Sequence, residues 1–322
     1  IHNIMRYVIN ITKNKTSKDG SILGKVLDFK NEMTLHEQSE LNVYKKHPQL
    51  TACNREVTIY NRYTQQKVQT IMFGSNSYLG ATIFPEAIQK AIEVTKELGI
   101  GSGGVPLLSG TFMYQQELEH LIAKMSGMDD SILFSSGYTA NLGVISGLIR
   151  ANNLIIHDKL NHASLLDGTV MSGANSPKYP EGILVVTDGV FSMDGDIAKL
   201  PLILETIRKY NAVLLIDEAH ATGVIGDNGA GTLSHYGITD RKNIILTGTL
   251  SKAIGTVGGY ITASQDIIDY LRIYARSNMF STSLPPSVCA AAIEVIKVMQ
   301  NTNIVERLKQ NAKYLQHKFR DG

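Results

Sequence analysis

Cysteine is scarce in this chain: Cys53 and Cys289 are the only two among 322 residues. Neither a disulfide framework nor a cysteine-rich zinc site can be built from them. Charge of one sign is lacking as well, with 31 Lys and Arg against 29 Asp and Glu and a formal net charge of +2. No basic run interleaves with aromatic residues, which leaves no electrostatic footprint for nucleic acid. Apolar runs long enough to span a bilayer are absent from the sequence. The opening IHNIMRYVINITKNKTSKDG lacks the basic, apolar and small-residue zones of a signal peptide. A soluble protein without a membrane span, in a reducing compartment such as the cytoplasm, is the expectation.

What remains is ordinary globular material, 43% hydrophobic and 19% charged, enough for one large domain and a smaller one. Residues 1–50 are polar and weakly patterned and read as an arm with short helices around residues 33–44. EVTIYN (56–61) and QKVQTIMF (66–73) alternate like the two strands of a hairpin. Residues 84–98 read as an amphipathic helix opening near Pro85, and 115–125 as another after a glycine-rich loop. Short apolar runs then recur at 131–134, 154–156, 183–187, 213–216, 244–246 and 259–263, with helical patterns between several of them. That rhythm predicts a mostly parallel sheet covered by helices on both faces. Two helices, from residue 284 and over 305–319, close the chain.

In open sheets of this kind ligands sit beyond the carboxyl ends of the strands. Here those ends lead into SSGYTANLG, HDKLNHAS, DGVFSMDGD, DEAHATG and TGTLSK. Lys252 follows a buried strand, where desolvation lowers an amine's pKa and suits it to Schiff-base chemistry. Asp217 ends an apolar strand, His162 and His220 lie just past strand ends, and SSGYT opens a helix that can cradle a phosphate. Each of these has an ordinary structural explanation when taken singly. Together they match the needs of pyridoxal phosphate: a Schiff-base lysine, an acid for the pyridine nitrogen, a phosphate cup and a group over the ring. The residues that hold such a cofactor do not by themselves choose among its reactions, so an aminotransferase or lyase reaction stays open. The DEAH tetrapeptide (217–220) also occurs in helicases, but no GxxxxGK[ST] phosphate loop precedes it.

The motifs FGSNSYLG (73–80), SSGYTANLG (135–143), NHASLLDG (161–168), DGVFSMDGD (188–196), DEAHATGVIGDNGAG (217–231), GTLSKAIGTVGGY (248–260) and FSTSLPPS (280–287) occur in the family order of the α-oxoamine synthases. The chain resembles that family of fold-type I pyridoxal-phosphate enzymes from about residue 73 to about residue 286. The resemblance implies an α/β fold, with a mostly parallel central sheet flanked by helices and a smaller domain built from the two chain ends. Residues 1–75 would form an arm and hairpin, 76–283 the large cofactor-binding domain, and 284–322 the start of a C-terminal domain. Lys252 would carry the cofactor and remove the α-proton of the amino acid. Asp217 would pair with the pyridine nitrogen, and His220 with the ring oxygen, with Ser192 nearby. His162 would stack on the ring. Ser136, Gly137, Tyr138 and Thr249 would hold the phosphate, joined by Thr282 of the neighbouring subunit in a homodimer that shares its active sites. Asn76 would contact substrate.

The family reaction is a decarboxylating condensation of a small amino acid with an acyl thioester, carried by coenzyme A or an acyl carrier protein, to give an α-aminoketone. Three departures stand out. Gln115 replaces a histidine found in many relatives. The stretch between His162 and Asp188 is shorter than the family pattern, as if residues were missing between Ala174 and Pro180. Relatives also continue beyond the point matching Gly322, through a domain carrying an arginine for the substrate carboxylate, so the sequence is expected to be part of a longer chain.

Overall fold

The strand Val213–Asp217 shows how the sheet is made. Its residues are apolar at every position up to the terminal aspartate, and successive side chains point to opposite faces. Leu215 joins one buried cluster, while Leu214 and Ile216 join another. A strand covered on both sides needs no polar alternation, which is why these runs read as continuous apolar stretches.

The computed structural model describes residues 21–38, 47–175 and 177–321. The chain divides into two units, Ile1–Met72 and Phe73–Gly322. In the first, helix α1 (Ile22–Gln38) precedes strands β1 (Glu56–Asn61) and β2 (Gln66–Ile71), which pair antiparallel from Glu56↔Ile71 to Asn61↔Gln66. The Asn61 side chain accepts the Tyr63 and Thr64 amides and so shapes the turn. The expected helix around 33–44 overlaps α1, and its remainder, with most of the N-terminal arm, lies outside the described residues. Ser176, within the short stretch between Ala174 and Pro180, also lies outside them.

The second unit contains helices α2 (Pro85–Leu98) and α3 (Met113–Ser126), followed by strand β3 (Asp130–Phe134) and helix α4 (Gly137–Leu148). Next come β4 (Asn153–His157), α5 (Ala163–Ser172), β5 (Gly182–Asp188), α6 (Leu200–Arg208) and β6 (Val213–Asp217). Strands β7 (Ile244–Thr249) and β8 (Gly259–Ala263) and helices α7 (Gln265–Tyr274), α8 (Pro286–Asn301) and α9 (Ile304–Asp321) complete it. The strands form one sheet in the order β3-β8-β7-β6-β5-β4. Strands β4 to β7 are parallel neighbours, whereas β8 runs antiparallel to both β7 and β3. The expected mostly parallel sheet is therefore present, with one reversed strand set into it.

Three apolar clusters hold the unit together. One lies between the sheet and α4, α5 and α7, and one between the sheet and α6. The third joins α2, α3 and α8, with Leu118, Ile122, Val295 and Ile296 fully buried. Each such side chain contributes roughly 1.5–3 kcal/mol by leaving water. Pro85 opens α2, where its missing N–H costs nothing, and Gly99 ends it. Among the described residues no helix is long and apolar enough to cross a membrane. The carboxyl ends of β3, β4, β5, β6 and β7 lie together, and the functional groups gather there.

Candidate active site

The strand register fixes the first pair of groups. Asp188 ends β5 and Asp217 ends β6, and the two are direct partners in the parallel ladder. Two buried carboxylates thus stand side by side at one sheet edge. Asp188 is pushed up to about 7, first by burial and then by the charge of Asp217. Asp217 accepts hydrogen bonds at both oxygens, from the Ala219 amide at 2.9 Å and from Asn141 Nδ2 at 2.7 Å.

Lys252 comes from the turn after β7. Its Nζ lies 2.8 Å from His220 Nε2, and His220 Nδ1 lies 2.7 Å from the Tyr78 hydroxyl. Burial lowers the Lys252 amine from the usual lysine range, against the attraction of Asp217 and Asp188. Burial also pushes His220 down to about 4, followed by the Lys252 charge. Two cations cannot sit 2.8 Å apart in a partly dry site, so the pair carries one positive charge at most.

A phosphate-sized cradle forms where β3 runs into α4. Ser136 caps the helix: its hydroxyl accepts the Thr139 amide, and the Thr139 hydroxyl accepts the Ser136 amide. The Gly137 and Tyr138 amides are left over, pointing out of the helix N-terminus where an anion is favoured. Thr249 and Ser251 hydroxyls bond each other beside them at 2.8 Å. A Cβ on Gly137 would come within 3.0 Å of Thr249 Cβ, and one on Gly259 would meet the Ser136 carbonyl carbon at 2.3 Å. Glycine at both positions lets the backbone of β8 and the start of α4 close around the cradle.

A cavity of about 240 Å³ joins these parts. Ser136, Gly137, Tyr138, His162, Asp217, His220, Thr249 and Lys252 all line it. Three other expected residues do not. Ser192 is exposed and outside the cavity wall. Thr282 lines a separate cavity of about 560 Å³ with Gln115, Glu119 and Arg272, which holds neither Lys252 nor Asp217. Asn76 is exposed, and its Oδ1 lies 3.5 Å from the Tyr78 hydroxyl, one residue away from His220. Gln115 is buried, bonding the Phe112 amide and the Leu284 carbonyl at 3.0 and 2.7 Å. It ties the start of α3 to the segment before α8.

Sequence reasoning passed over Asn141, Ser164, Asp188 and Tyr78, which also build the site. Asp188 had a usable signal: it ends an apolar strand just as Asp217 does. Asn141 and Ser164 sit inside the SSGYTANLG and NHAS motifs but look like routine polar residues there. Glu218, next to Asp217 in DEAH, is buried against Thr232, whose amide and hydroxyl both donate to it. Burial raises it to about 7, and it fastens the loop after β6.

These residues fit pyridoxal phosphate. The cavity offers an amine for its aldehyde, a carboxylate for its ring nitrogen, and a glycine-walled helix N-terminus for its phosphate. The fold and site together define a pyridoxal-phosphate-dependent enzyme. Comparison with known proteins agrees: residues 68–321 match the family model for class I and II aminotransferases. An 8-amino-7-oxononanoate synthase of Bacillus subtilis is 43% identical over 267 residues, covering 77% of this chain and 67% of the relative. A serine palmitoyltransferase of Sphingobacterium spiritivorum is 40% identical over 264 residues, covering 76% and 66%. A serine palmitoyltransferase structure solved with pyridoxal phosphate superposes with a TM-score of 0.83 at 32% identity, covering 91% of this chain and 76% of that one. The chain belongs to the class I and II aminotransferase family and, within it, to the α-oxoamine synthases. It spans about two thirds of the length of these curated relatives.

Proposed function

We propose that this chain catalyses the decarboxylating condensation of a small amino acid with an acyl thioester, releasing carbon dioxide and free thiol and giving an α-aminoketone. The observation that carries the reading is the placement of Lys252, Asp217, His220 and His162 around one cavity, beside a helix N-terminus suited to phosphate, in a chain of this family. Pyridoxal phosphate, when bound, supplies an electron sink for negative charge at the amino acid's α-carbon.

The chain's own residues have distinct tasks. Lys252 Nζ would hold the cofactor and, as an amine, would take the proton from the α-carbon. Burial favours the uncharged amine that this step requires. Asp217, held at both oxygens, would keep a proton on the ring nitrogen. His220, with its imidazole held by Tyr78, would bond the ring oxygen. His162, at the cavity wall, would cover the ring face. The Gly137 and Tyr138 amides and the Thr249 hydroxyl would hold the phosphate, and Asn76 would meet the substrate. Thr282, which lines a separate cavity, would serve the partner's phosphate site in a homodimer. The thioester is carried by coenzyme A or by an acyl carrier protein. Two cysteines in 322 residues are too few for a disulfide framework, which suits a reducing compartment such as the cytoplasm.

Product analysis tests the reading. Protein loaded with pyridoxal phosphate is incubated with glycine, alanine or serine and a panel of acyl-CoA thioesters. Carbon dioxide and thiol released in equal amounts, with an aminoketone formed, is the expected result. A keto acid formed without thiol release would replace the condensation with transamination.

A further inference from the structure

Asn141 occupies the centre of a polar chain under the cavity. It projects from α4 and is buried, at 2% exposure. Its Nδ2 makes two bonds, to Asp217 Oδ2 at 2.7 Å and to Ser164 Oγ at 2.8 Å. Its Oδ1 accepts the Thr247 hydroxyl at 2.6 Å. Ser164 in turn lies 2.7 Å from His162 Nδ1, and its backbone amide also points at that nitrogen, at 3.3 Å.

The amide sets the direction of the bonds. Asn141 turns its nitrogen, a donor, to Asp217 and Ser164 and its oxygen, an acceptor, to Thr247. Both hydrogens of Nδ2 are then used, one on Asp217 and one on Ser164. Ser164 Oγ, accepting from Asn141, gives its own hydrogen to His162 Nδ1. That nitrogen also accepts from the Ser164 amide, so Nδ1 is the acceptor of the ring and Nε2 its donor.

We infer that Asn141 is a positioning residue that sets two groups of the active site at once, orienting the Asp217 carboxylate and, through Ser164, fixing the tautomer and orientation of the His162 ring. Strand β6, helix α4 and helix α5 each contribute one member, so the partner of the ring nitrogen and the group over the ring face share a single amide. Buried networks of this kind hold their geometry because every donor has an acceptor and a rotation of one member leaves another unsatisfied. The inference rests on the roles proposed above for Asp217 and His162, but its first readout needs neither cofactor nor substrate.

The test uses cofactor-free protein labelled with ¹⁵N-histidine. In the wild type the His162 Nδ1 signal should be that of an unprotonated, hydrogen-bonded ring nitrogen. Ser164→Ala should move it toward the average of two tautomers, and Asn141→Ala should do the same. Pyridoxal phosphate binding then separates the two variants: Asn141→Ala should weaken it about tenfold, Ser164→Ala by under about threefold. A His162 signal unchanged in Ser164→Ala overturns the relay even if Asn141→Ala does not fold. Equal loss of cofactor affinity in both variants overturns the separate hold on Asp217. If condensation fails while the histidine signals move as expected, the reaction assignment falls and the relay stands.

Discussion

Lys252 Nζ and His220 Nε2 lie 2.8 Å apart, and the Tyr78 hydroxyl holds the far nitrogen of the same imidazole at 2.7 Å. The lysine that must lose a proton before it can act is therefore coupled to a histidine whose ring is held from the other side. Lys252→Ala should still bind pyridoxal phosphate but no longer as a Schiff base. Borohydride should fix no cofactor to the variant, and turnover should fall by roughly 10²–10⁴-fold or more. Wild-type activity in this variant would remove the central assignment.

Tyr78→Phe keeps the ring and deletes only the hydroxyl on His220 Nδ1. A hydrogen bond of this type contributes about 0.5–1.5 kcal/mol, so kcat should fall roughly 2- to 10-fold while cofactor affinity holds. Steady-state kinetics with cofactor in excess measures this. An unchanged kcat would mean that Tyr78 does not orient the imidazole during the reaction.

Asp188 gives a pH-dependent stability effect. Its folded pKa of about 7 lies above its ordinary value of 3.8, so the folded state keeps the proton more readily. The contribution is present below about pH 4 and is lost as pH rises through 7. Glu218 acts in the same sense, and His220, pushed down from 6.5 to about 4, acts in the opposite one, losing its contribution as pH falls between those values. Asp188→Asn removes one titration while keeping an acceptor for the His162 amide, 3.4 Å away. Cofactor-free Asp188→Asn should be more stable than the wild type at about pH 8, by on the order of a few kcal/mol, with the gap narrowing toward about pH 4. Melting temperatures followed by circular dichroism across that range check it, and a gap that widens on acidification would reverse the assignment.

Gly259→Ala tests the cradle. The added Cβ would press on the Ser136 carbonyl and the Gly137 amide, both backbone atoms that cannot rotate away. Overpacking of this kind costs about 1–3 kcal/mol, which should weaken pyridoxal phosphate binding by roughly 5- to 150-fold. Titration of the visible cofactor band reads the affinity directly. Unaltered affinity would place the phosphate somewhere other than the start of α4.

Much of this protein was determined by the sequence alone. Continuous apolar runs such as those at Leu214–Ile216 and Ile244–Leu246 announce strands buried on both faces, because nothing else of that length hides every side chain from water. Placing chemistry at the strand ends then named Lys252, Asp217, His162 and His220, since a parallel sheet opens its ligand crevice on that edge. The tertiary structure decided the rest. It set Asp188 beside Asp217 through strand register, brought Tyr78 to His220 across 142 residues, and put Asn141 between Asp217 and Ser164. It also left Thr282 in a different cavity and Ser192 exposed. Local patterning reports which face of an element is buried, whereas a hydrogen bond between distant residues depends on distances and angles that exist only after the elements have packed.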